Sequence, residues 1–199
     1  MVLKYKKHRK DSRRRFYAFL AFLLIIAAAT GASMYISYLL KSSRYDVLIK
    51  DAADKYCLDP RLLKAVVWKE SNFVSQARGN DDEVGLMQVI PSNKGAAQDW
   101  ANYHKVDLPC PGILFNPRLN IEIGAWYLAR AMKKHKNAEW ALCEYNAGPR
   151  IKSWKPEIPD GEVIKKIKFR STKAYVTAIM KKYREYCNAN ELDLKGPKN

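Results

Sequence analysis

The sequence contains few of the residues from which metal sites and disulfide frameworks are built. Its 199 residues include four cysteines and three histidines. No Cys-x-x-Cys motif is present, and cysteine and histidine do not cluster along the chain. Four cysteines are too few for a disulfide-dense miniprotein, and without such a motif no metal site is expected. His104 and His135 are isolated in the sequence, so we predict that both are solvated surface residues.

The cysteines that are present all follow residue 40. An oxidising compartment would allow two disulfides among them, with three possible connectivities. We predict that Cys57 pairs with Cys187, because both lie near the C-terminal ends of predicted helices, and that Cys110 pairs with Cys143. Four free, partly buried thiols are the alternative.

Acidic residues are also scarce. Lysine and arginine number 36 against 20 aspartates and glutamates, a net charge of +16, while hydrophobic residues make up 48% of the chain. The hydrophobic fraction excludes a disordered or collagen-like chain, and the length excludes a multidomain machine. An excess of basic charge is common in nucleic-acid-binding proteins. Here it is uneven, because residues 1–15 hold eight basic residues against one acid and residues 16–40 hold no charge.

The uncharged run over residues 16–40 predicts a transmembrane helix. Its 25 residues would span about 37 Å as a helix, and a bilayer core is about 30 Å thick. The basic residues before it orient residues 1–15 to the cytoplasm and the chain after Lys41 to the outside. A cleaved signal peptide is the alternative, since Ala27–Ala32 is rich in small residues. With this topology the outer part is not expected to bind nucleic acid.

The rest of the sequence predicts one mostly α domain, with no strand alternation and no internal repeat. Asp59-Pro60 and Asn116-Pro117 are helix-start signals, with a capping residue followed by proline. Helices are predicted over 44–58, 60–71, 117–135, 138–145 and 172–190, and loops over 78–85 and 105–115. The predicted organisation is a cytoplasmic segment over 1–15, a membrane anchor over 16–40, a linker over 41–44, a helical domain over 45–192 and a flexible tail over 193–199.

Glu70 is a carboxylate on an apolar helix face. Steps of three and four residues from Val66 and Val67 lead directly to it. Burial disfavours the charged form of a carboxyl group and raises its pKa. A carboxylic acid that stays protonated near neutral pH is what a glycosidase uses as its general acid. A carboxylate at the helix end that reaches solvent or pairs with a cation is the alternative.

Four ordered blocks give this carboxylate a context. They are Glu-Ser at 70–71, Gly-Leu-Met-Gln at 85–88, Asn-Ile-x-x-Gly-x-x-Tyr-Leu at 120–128 and Tyr-Asn-Ala-Gly at 145–148. From about Tyr45 to about Tyr183 the chain resembles the catalytic domain of soluble-type lytic transglycosylases, which are similar to goose-type lysozyme. The resemblance implies a lysozyme-like helical domain, bacterial peptidoglycan glycan strands as substrate and no cofactor. With the predicted anchor, it implies a single-pass protein of the bacterial inner membrane whose domain is periplasmic.

The resemblance also implies roles for individual residues. Glu70 would protonate the oxygen between N-acetylmuramic acid and N-acetylglucosamine, then accept a proton from the muramic 6-hydroxyl, leaving a 1,6-anhydromuramoyl end. The substrate thereby supplies its own nucleophile, so one carboxylate suffices. The implied substrate-binding residues are Ser71, Met87, Gln88, Asn120, Tyr145 and Asn146. Among them, core packing is favoured for Met87, and structural or groove-shaping roles are favoured for Asn120, Tyr145 and Asn146.

The chain also departs from the family pattern. Gly79 stands where the family often has a serine near the substrate, so one hydroxyl contact is expected to be missing. Glu144 replaces a small residue before Tyr145 and is predicted to bring a second acid close to the site. The acidic loop 81–83 keeps open a hydrolytic muramidase of the same fold. A non-catalytic peptidoglycan-binding scaffold is the other alternative.

Overall fold

The computed structural model describes residues 2–92, 95–107, 110–148, 151 and 163–189, with side chains from residue 14 onward. The chain divides into two units, residues 1–43 and residues 44–199. The first contains the helix α1 (Val2–Ser43). The helices of the second are α2 (Asp46–Tyr56), α3 (Pro60–Ser71), α4 (Ala96–His104), α5 (Pro117–His135), α6 (Ala138–Ala147), α7 (Val163–Lys166) and α8 (Arg170–Asn188). The described residues form no strand, only isolated antiparallel bridges from Val84 to Arg78 and to Val89, so the predicted mostly α class is confirmed.

Helix α1 is long and apolar enough to cross a membrane by its length and composition. Its large apolar side chains are exposed; Leu24 and Ile25, for example, are 71% and 67% accessible. The helix continues through Ser43, into the residues predicted as a linker over 41–44. Only Arg44 and Tyr45 separate α1 from α2.

Local capping places the two helices that frame the site. The Asp59 carboxylate accepts a hydrogen bond from the Arg61 backbone N–H at 2.9 Å, and Pro60 occupies the first turn of α3. The Asn116 side chain likewise accepts from the Leu119 N–H at 3.2 Å at the start of α5. Such caps satisfy backbone donors that a helix leaves unpaired at its first turn. The predicted bounds 60–71 and 117–135 are confirmed.

The core of the second unit forms where α3 packs on α8 and where α5 packs on both α2 and α6. Leu63, Ile121 and Leu142 are fully buried there, and each such side chain contributes about 1.5–3 kcal/mol through removal of apolar surface from water. Gly124 of α5 faces Met87 so closely that a Cβ atom would lie 2.5 Å from its sulfur. The absence of a side chain at Gly124 therefore brings the loop around Met87 against α5.

Several predictions about single residues are wrong. All four cysteines are free, with Cys143 fully buried on α6 and Cys110 exposed, so neither predicted disulfide forms. Burial raises the pKa of the Cys143 thiol to about 12. Neither described histidine is a solvated surface residue: His135 is 7% exposed, and His104 is half-buried, with its ring tilted against that of Trp100 at a centroid distance of 4.7 Å.

The structure adds two helices to those predicted, the nine-residue α4 and the four-residue α7. Helix α2 is shorter than the predicted 44–58, because Cys57 adopts a left-handed conformation with φ 54° and ends it. The predicted loop 105–115 ends in a 3-10 turn over Ile113–Phe115. The predicted tail over 193–199 and the last predicted domain residues, 190–192, lie outside the described residues.

Candidate active site

Glu70 lies in the last turn of α3 and is half-buried. The helix ends directly after it, where Asn72 and Phe73 both adopt left-handed backbone conformations with φ 47° and 61°. The hydroxyl of Tyr175 on α8 donates a hydrogen bond to Glu70 Oε1 at 2.5 Å. The packing of α8 against α3 thus places a phenol on the carboxyl group that the sequence singles out.

The surroundings of Glu70 set its protonation. Burial raises the pKa of this carboxyl from its ordinary value of 4.5 to about 7, and the negative charge of Glu83 acts in the same direction. The hydrogen bond from Tyr175 and the positive charge of Lys69 oppose the rise. A carboxyl group with a pKa near 7 is present in both protonated and ionised forms at neutral pH, so it can act as acid and as base.

Tyr145 on α6 is electrostatically coupled to this carboxyl group. Burial raises its pKa well above the ordinary value, and the charge of Glu70 adds to the increase, so the phenol stays protonated. Its hydroxyl donates to the Met87 carbonyl at 2.9 Å. Its ring meets that of Tyr127 edge-on, with centroids 5.7 Å apart. Tyr145 therefore connects the Glu70 environment to the loop that holds Met87.

The loop around Met87 is fixed by hydrogen bonds to Asn120 of α5, a side chain that is fully buried. The Asn120 Oδ1 atom accepts from the Met87 N–H at 2.7 Å. Its Nδ2 donates to the carbonyls of Val84 and Leu114, both at 2.8 Å. Gly85 has φ +80°, and a Cβ there would lie 2.3 Å from Asn120 Nδ2, so glycine alone fits this approach.

The side chains of Ser71, Met87 and Asn120 are all buried. The Ser71 hydroxyl donates to the Leu86 carbonyl at 2.9 Å and to the Val67 carbonyl at 3.2 Å. Met87 is fully buried. Contacts with substrate are implied for these three residues by the resemblance, but their side chains are enclosed by the protein and support the loop. The core and structural roles favoured for Met87 and Asn120 agree with this geometry.

Gln88 and Asn146 are more accessible. Gln88 is half-buried, adopts φ 47°, and its Nε2 donates to the Gly85 carbonyl at 2.9 Å. Asn146 is exposed at the C-terminal end of α6 and lines a small open cavity with Phe169 and Thr172. Of the residues predicted to bind substrate, Gln88, Tyr145 and Asn146 thus retain exposed surface. Among these three, only Tyr145 is electrostatically coupled to Glu70, whose charge raises the pKa of the Tyr145 phenol.

A sequence profile described as Transglycosylase SLT domain matches residues 47–167. The chain belongs to the transglycosylase SLT family. Membrane-bound lytic murein transglycosylase E of Buchnera aphidicola is 36% identical over 87 residues, which cover 44% of this chain and 39% of that protein. Membrane-bound lytic murein transglycosylase C of Salmonella arizonae is 33% identical over 89 residues, 45% of this chain and 24% of that protein. The chain therefore spans two fifths or less of the curated relatives that it matches here.

Solved structures share the fold of the SLT domain. An inactive mutant of the lytic transglycosylase Slt from Pseudomonas aeruginosa superposes with a TM-score of 0.65 and 26% identity, over 74% of this chain and 25% of that one. The 70 kDa soluble lytic transglycosylase of Escherichia coli superposes with a TM-score of 0.66 and 24% identity, over 74% of this chain and 24% of that one. The expected lysozyme-like fold is confirmed.

Glu144 does not provide the second acid that the sequence predicts at the site of this SLT domain. Its Oε2 atom accepts from Lys134 Nζ and from His135 Nε2, both at 2.5 Å. Burial raises the pKa of Glu144, but these two hydrogen bonds outweigh it and leave the pKa below its ordinary value. Both partners lie at the C-terminal end of α5. The acid whose charge reaches Glu70 is Glu83 instead.

Tyr175 is the site residue that sequence reasoning missed. It lies 105 residues after Glu70, within the helix predicted over 172–190. A tyrosine at this point of a predicted amphipathic helix was the available signal. In the part of the SLT domain that the structure describes, no three side chains of histidine, cysteine, aspartate or glutamate come together as a metal site.

Proposed function

We propose that this chain is a membrane-anchored peptidoglycan lytic transglycosylase. It cleaves the β-1,4 bond between N-acetylmuramic acid and N-acetylglucosamine and leaves 1,6-anhydromuramoyl ends. The observation that carries the proposal is a carboxyl group, Glu70, whose pKa is raised to about 7 by burial. Membership of the SLT family supports the same reaction class.

In the proposed reaction Glu70 acts first as acid and then as base. The Tyr175 hydroxyl donates to Oε1, which leaves Oε2 as the oxygen that carries the proton. Oε2 gives this proton to the glycosidic oxygen as the bond to the muramic anomeric carbon breaks. The muramic 6-hydroxyl then bonds to that carbon, and its proton passes to the Glu70 carboxylate. The acid form is regenerated without water, so a second carboxylate is not required.

The same proposal includes retention of α1 as a membrane anchor. Residues 1–15 would lie in the cytoplasm and residues 44–199 in the periplasm, since the basic cluster precedes the apolar run. The two relatives described above are named as membrane-bound. Protease added to intact spheroplasts should digest the SLT domain and spare an N-terminal tag. Protection of the domain, or its release into the soluble periplasmic fraction, would contradict the anchor.

The test of the reaction is digestion of purified sacculi by the full chain in detergent, with mass spectrometry of the released fragments. The wild type should release anhydro ends, and Glu70→Gln should reduce release by about 10²–10⁴-fold, the usual contribution of a general acid. Glu185→Gln is the matched control, because Glu185 is an exposed carboxylate on α8 that pairs with Lys182.

The end groups separate the alternatives. Reducing muramic ends would identify a hydrolytic muramidase of the same fold. Saturable binding to sacculi without any release at any pH would identify a non-catalytic scaffold. Full activity of Glu70→Gln would move the catalytic role to another residue.

A further inference from the structure

Glu83 occupies the space that Gly79 leaves open. A Cβ atom built on Gly79 would lie 2.1 Å from Glu83 Oε2 and 2.8 Å from Gln88 Oε1. The head groups of Glu83 and Gln88 therefore converge over the bare backbone of residue 79. Any side chain at this position would push the carboxylate away, so the glycine and the carboxylate depend on each other.

The loop from Arg78 to Val84, which contains Glu83, holds this carboxylate in position. The Asp81 N–H donates to Glu83 Oε2 at 2.8 Å, and the Gly79 N–H donates to the Glu83 carbonyl at 2.7 Å. A bridge between Arg78 and Val84 ties the two ends of the loop together. Glu83 is half-buried, whereas Asp81 is exposed like the following aspartate. The loop thus turns one of its three acids inward.

The loop that carries Glu83 contacts the end of α3, because the hydroxyl of Ser71, the residue after Glu70, donates to the Leu86 carbonyl at 2.9 Å. Tyr175 from α8, Lys69 from its own helix and Glu83 from the loop act on the pKa of Glu70, and Glu70 in turn acts on the pKa of Tyr145 from α6. Within the described ranges no lysine or arginine forms an ion pair with Glu83.

Arg78, the basic residue that begins the loop, does not neutralise this carboxylate. Its guanidinium lies 4.6 Å from the centroid of the Phe115 ring instead. Glu83 therefore keeps acceptor capacity in the loop that contacts the end of α3, where Glu70 lies.

We propose that Glu83 is a substrate-positioning residue whose carboxylate accepts a hydrogen bond from a hydroxyl or N–H group of the amino sugar bound at Glu70. Hydroxyl and acetamido groups are donors, an ionised carboxylate only accepts, and charge-assisted bonds of this kind are the stronger ones. The carboxylate replaces the hydroxyl that a serine at position 79 would supply. The inference rests on the function proposed above.

The first test measures binding without turnover, using the full chain in detergent with Glu70→Gln. Chitotriose, the trimer of N-acetylglucosamine, is titrated calorimetrically. Adding Glu83→Gln should weaken binding about tenfold, through loss of a charge-assisted bond. Adding Asp82→Asn, which removes the same charge from an exposed residue of the same loop, should leave binding unchanged. Equal affinity of the Glu83→Gln protein and its parent overturns the proposal, as does a parent that does not bind chitotriose.

A second variant displaces the carboxylate without removing it. Gly79→Ala places a methyl group where Glu83 Oε2 lies, and only the ends of flexible side chains need to move. Binding should weaken about tenfold, as in Glu83→Gln, because the same hydrogen bond is lost. An unchanged tryptophan emission spectrum checks that the variant is folded. Unweakened binding by this folded variant overturns the proposal.

The pH profile of sacculus digestion distinguishes positioning from loop structure. The charge of Glu83 raises the pKa of Glu70, so Glu83→Gln should move the alkaline limb of activity to lower pH. A limb that does not move overturns the proposal. Because the chitotriose titration needs no turnover, it judges Glu83 even if wild-type protein releases no anhydro ends and the proposed function fails.

Discussion

The raised pKa of Glu70 has a consequence for stability that is independent of catalysis. Replacement by glutamine keeps the shape of the side chain and an oxygen that can accept from Tyr175, but it removes the ionisable group. We expect Glu70→Gln to inactivate the enzyme and to stabilise the folded domain at alkaline pH. Loss of function and gain of stability would then have the same cause, the burial of one carboxyl group.

The sign follows from the folded pKa of Glu70 being about 7, above its ordinary value of 4.5. Below about pH 4.5 the group is protonated in both states and costs nothing. As the pH rises to 7, the unfolded chain ionises first, so the wild type loses stability. At 1.36 kcal/mol for each tenfold change in proton affinity, the loss reaches roughly 3 kcal/mol above pH 7. The glutamine variant avoids it.

Urea unfolding of the full chain in detergent measures this difference. All five tryptophans lie after residue 44, so their fluorescence reports on the SLT domain. The unfolding midpoints should coincide near pH 4, and at pH 8 the variant should unfold about 1–2 M urea later. Asp82→Asn, at an exposed carboxylate, should follow the wild type throughout. Parallel pH dependence of wild type and Glu70→Gln would refute the assignment of a buried, protonated carboxyl.

Three further variants test the contacts around the site. Tyr175→Phe removes the hydrogen bond to Glu70, and loss of this contact should slow digestion about tenfold. The same bond lowers the pKa of Glu70, so the alkaline limb of the pH profile should move to higher pH. Asn120→Ala leaves the partners of three buried hydrogen bonds unsatisfied and should cost about 3 kcal/mol or more in urea unfolding. Glu144→Gln removes the negative charge with which both Lys134 and buried His135 pair. The free energy of unfolding should fall by about 1–3 kcal/mol near pH 7. Because the pKa of Glu144 is lowered, that difference should vanish in acid as wild-type Glu144 is protonated; an equal difference at acid pH would contradict the pairing.

Much of the helical framework could be predicted from the sequence. The starts of α3 and α5 follow from Asp59-Pro60 and Asn116-Pro117, whose caps act on backbone groups two or three residues away. The apolar stripe that ends at Glu70 repeats every three or four residues. These signals are local, so no knowledge of the rest of the chain is needed to use them.

The partners of Glu70 could not be predicted in this way. Tyr175 lies 105 residues away in sequence. The carboxylate of Glu83 reaches the site through loop geometry that depends on the bare Gly79 backbone. Glu144, one residue before Tyr145, points to α5 instead. One step along a helix turns a side chain by about 100°, so neighbouring residues meet different elements.

The sequence by itself determined most of the helical segments, though not α4 or α7, as well as which run could cross a membrane and which carboxylate interrupts an apolar face. Only the tertiary structure decided the environment of that carboxylate: a phenol from α8, an acid from the loop, and a core in which Cys143 and His135 are buried. The reason is physical. Helix formation depends on interactions across one turn, whereas the pKa and the contacts of Glu70 depend on groups that only packing brings together.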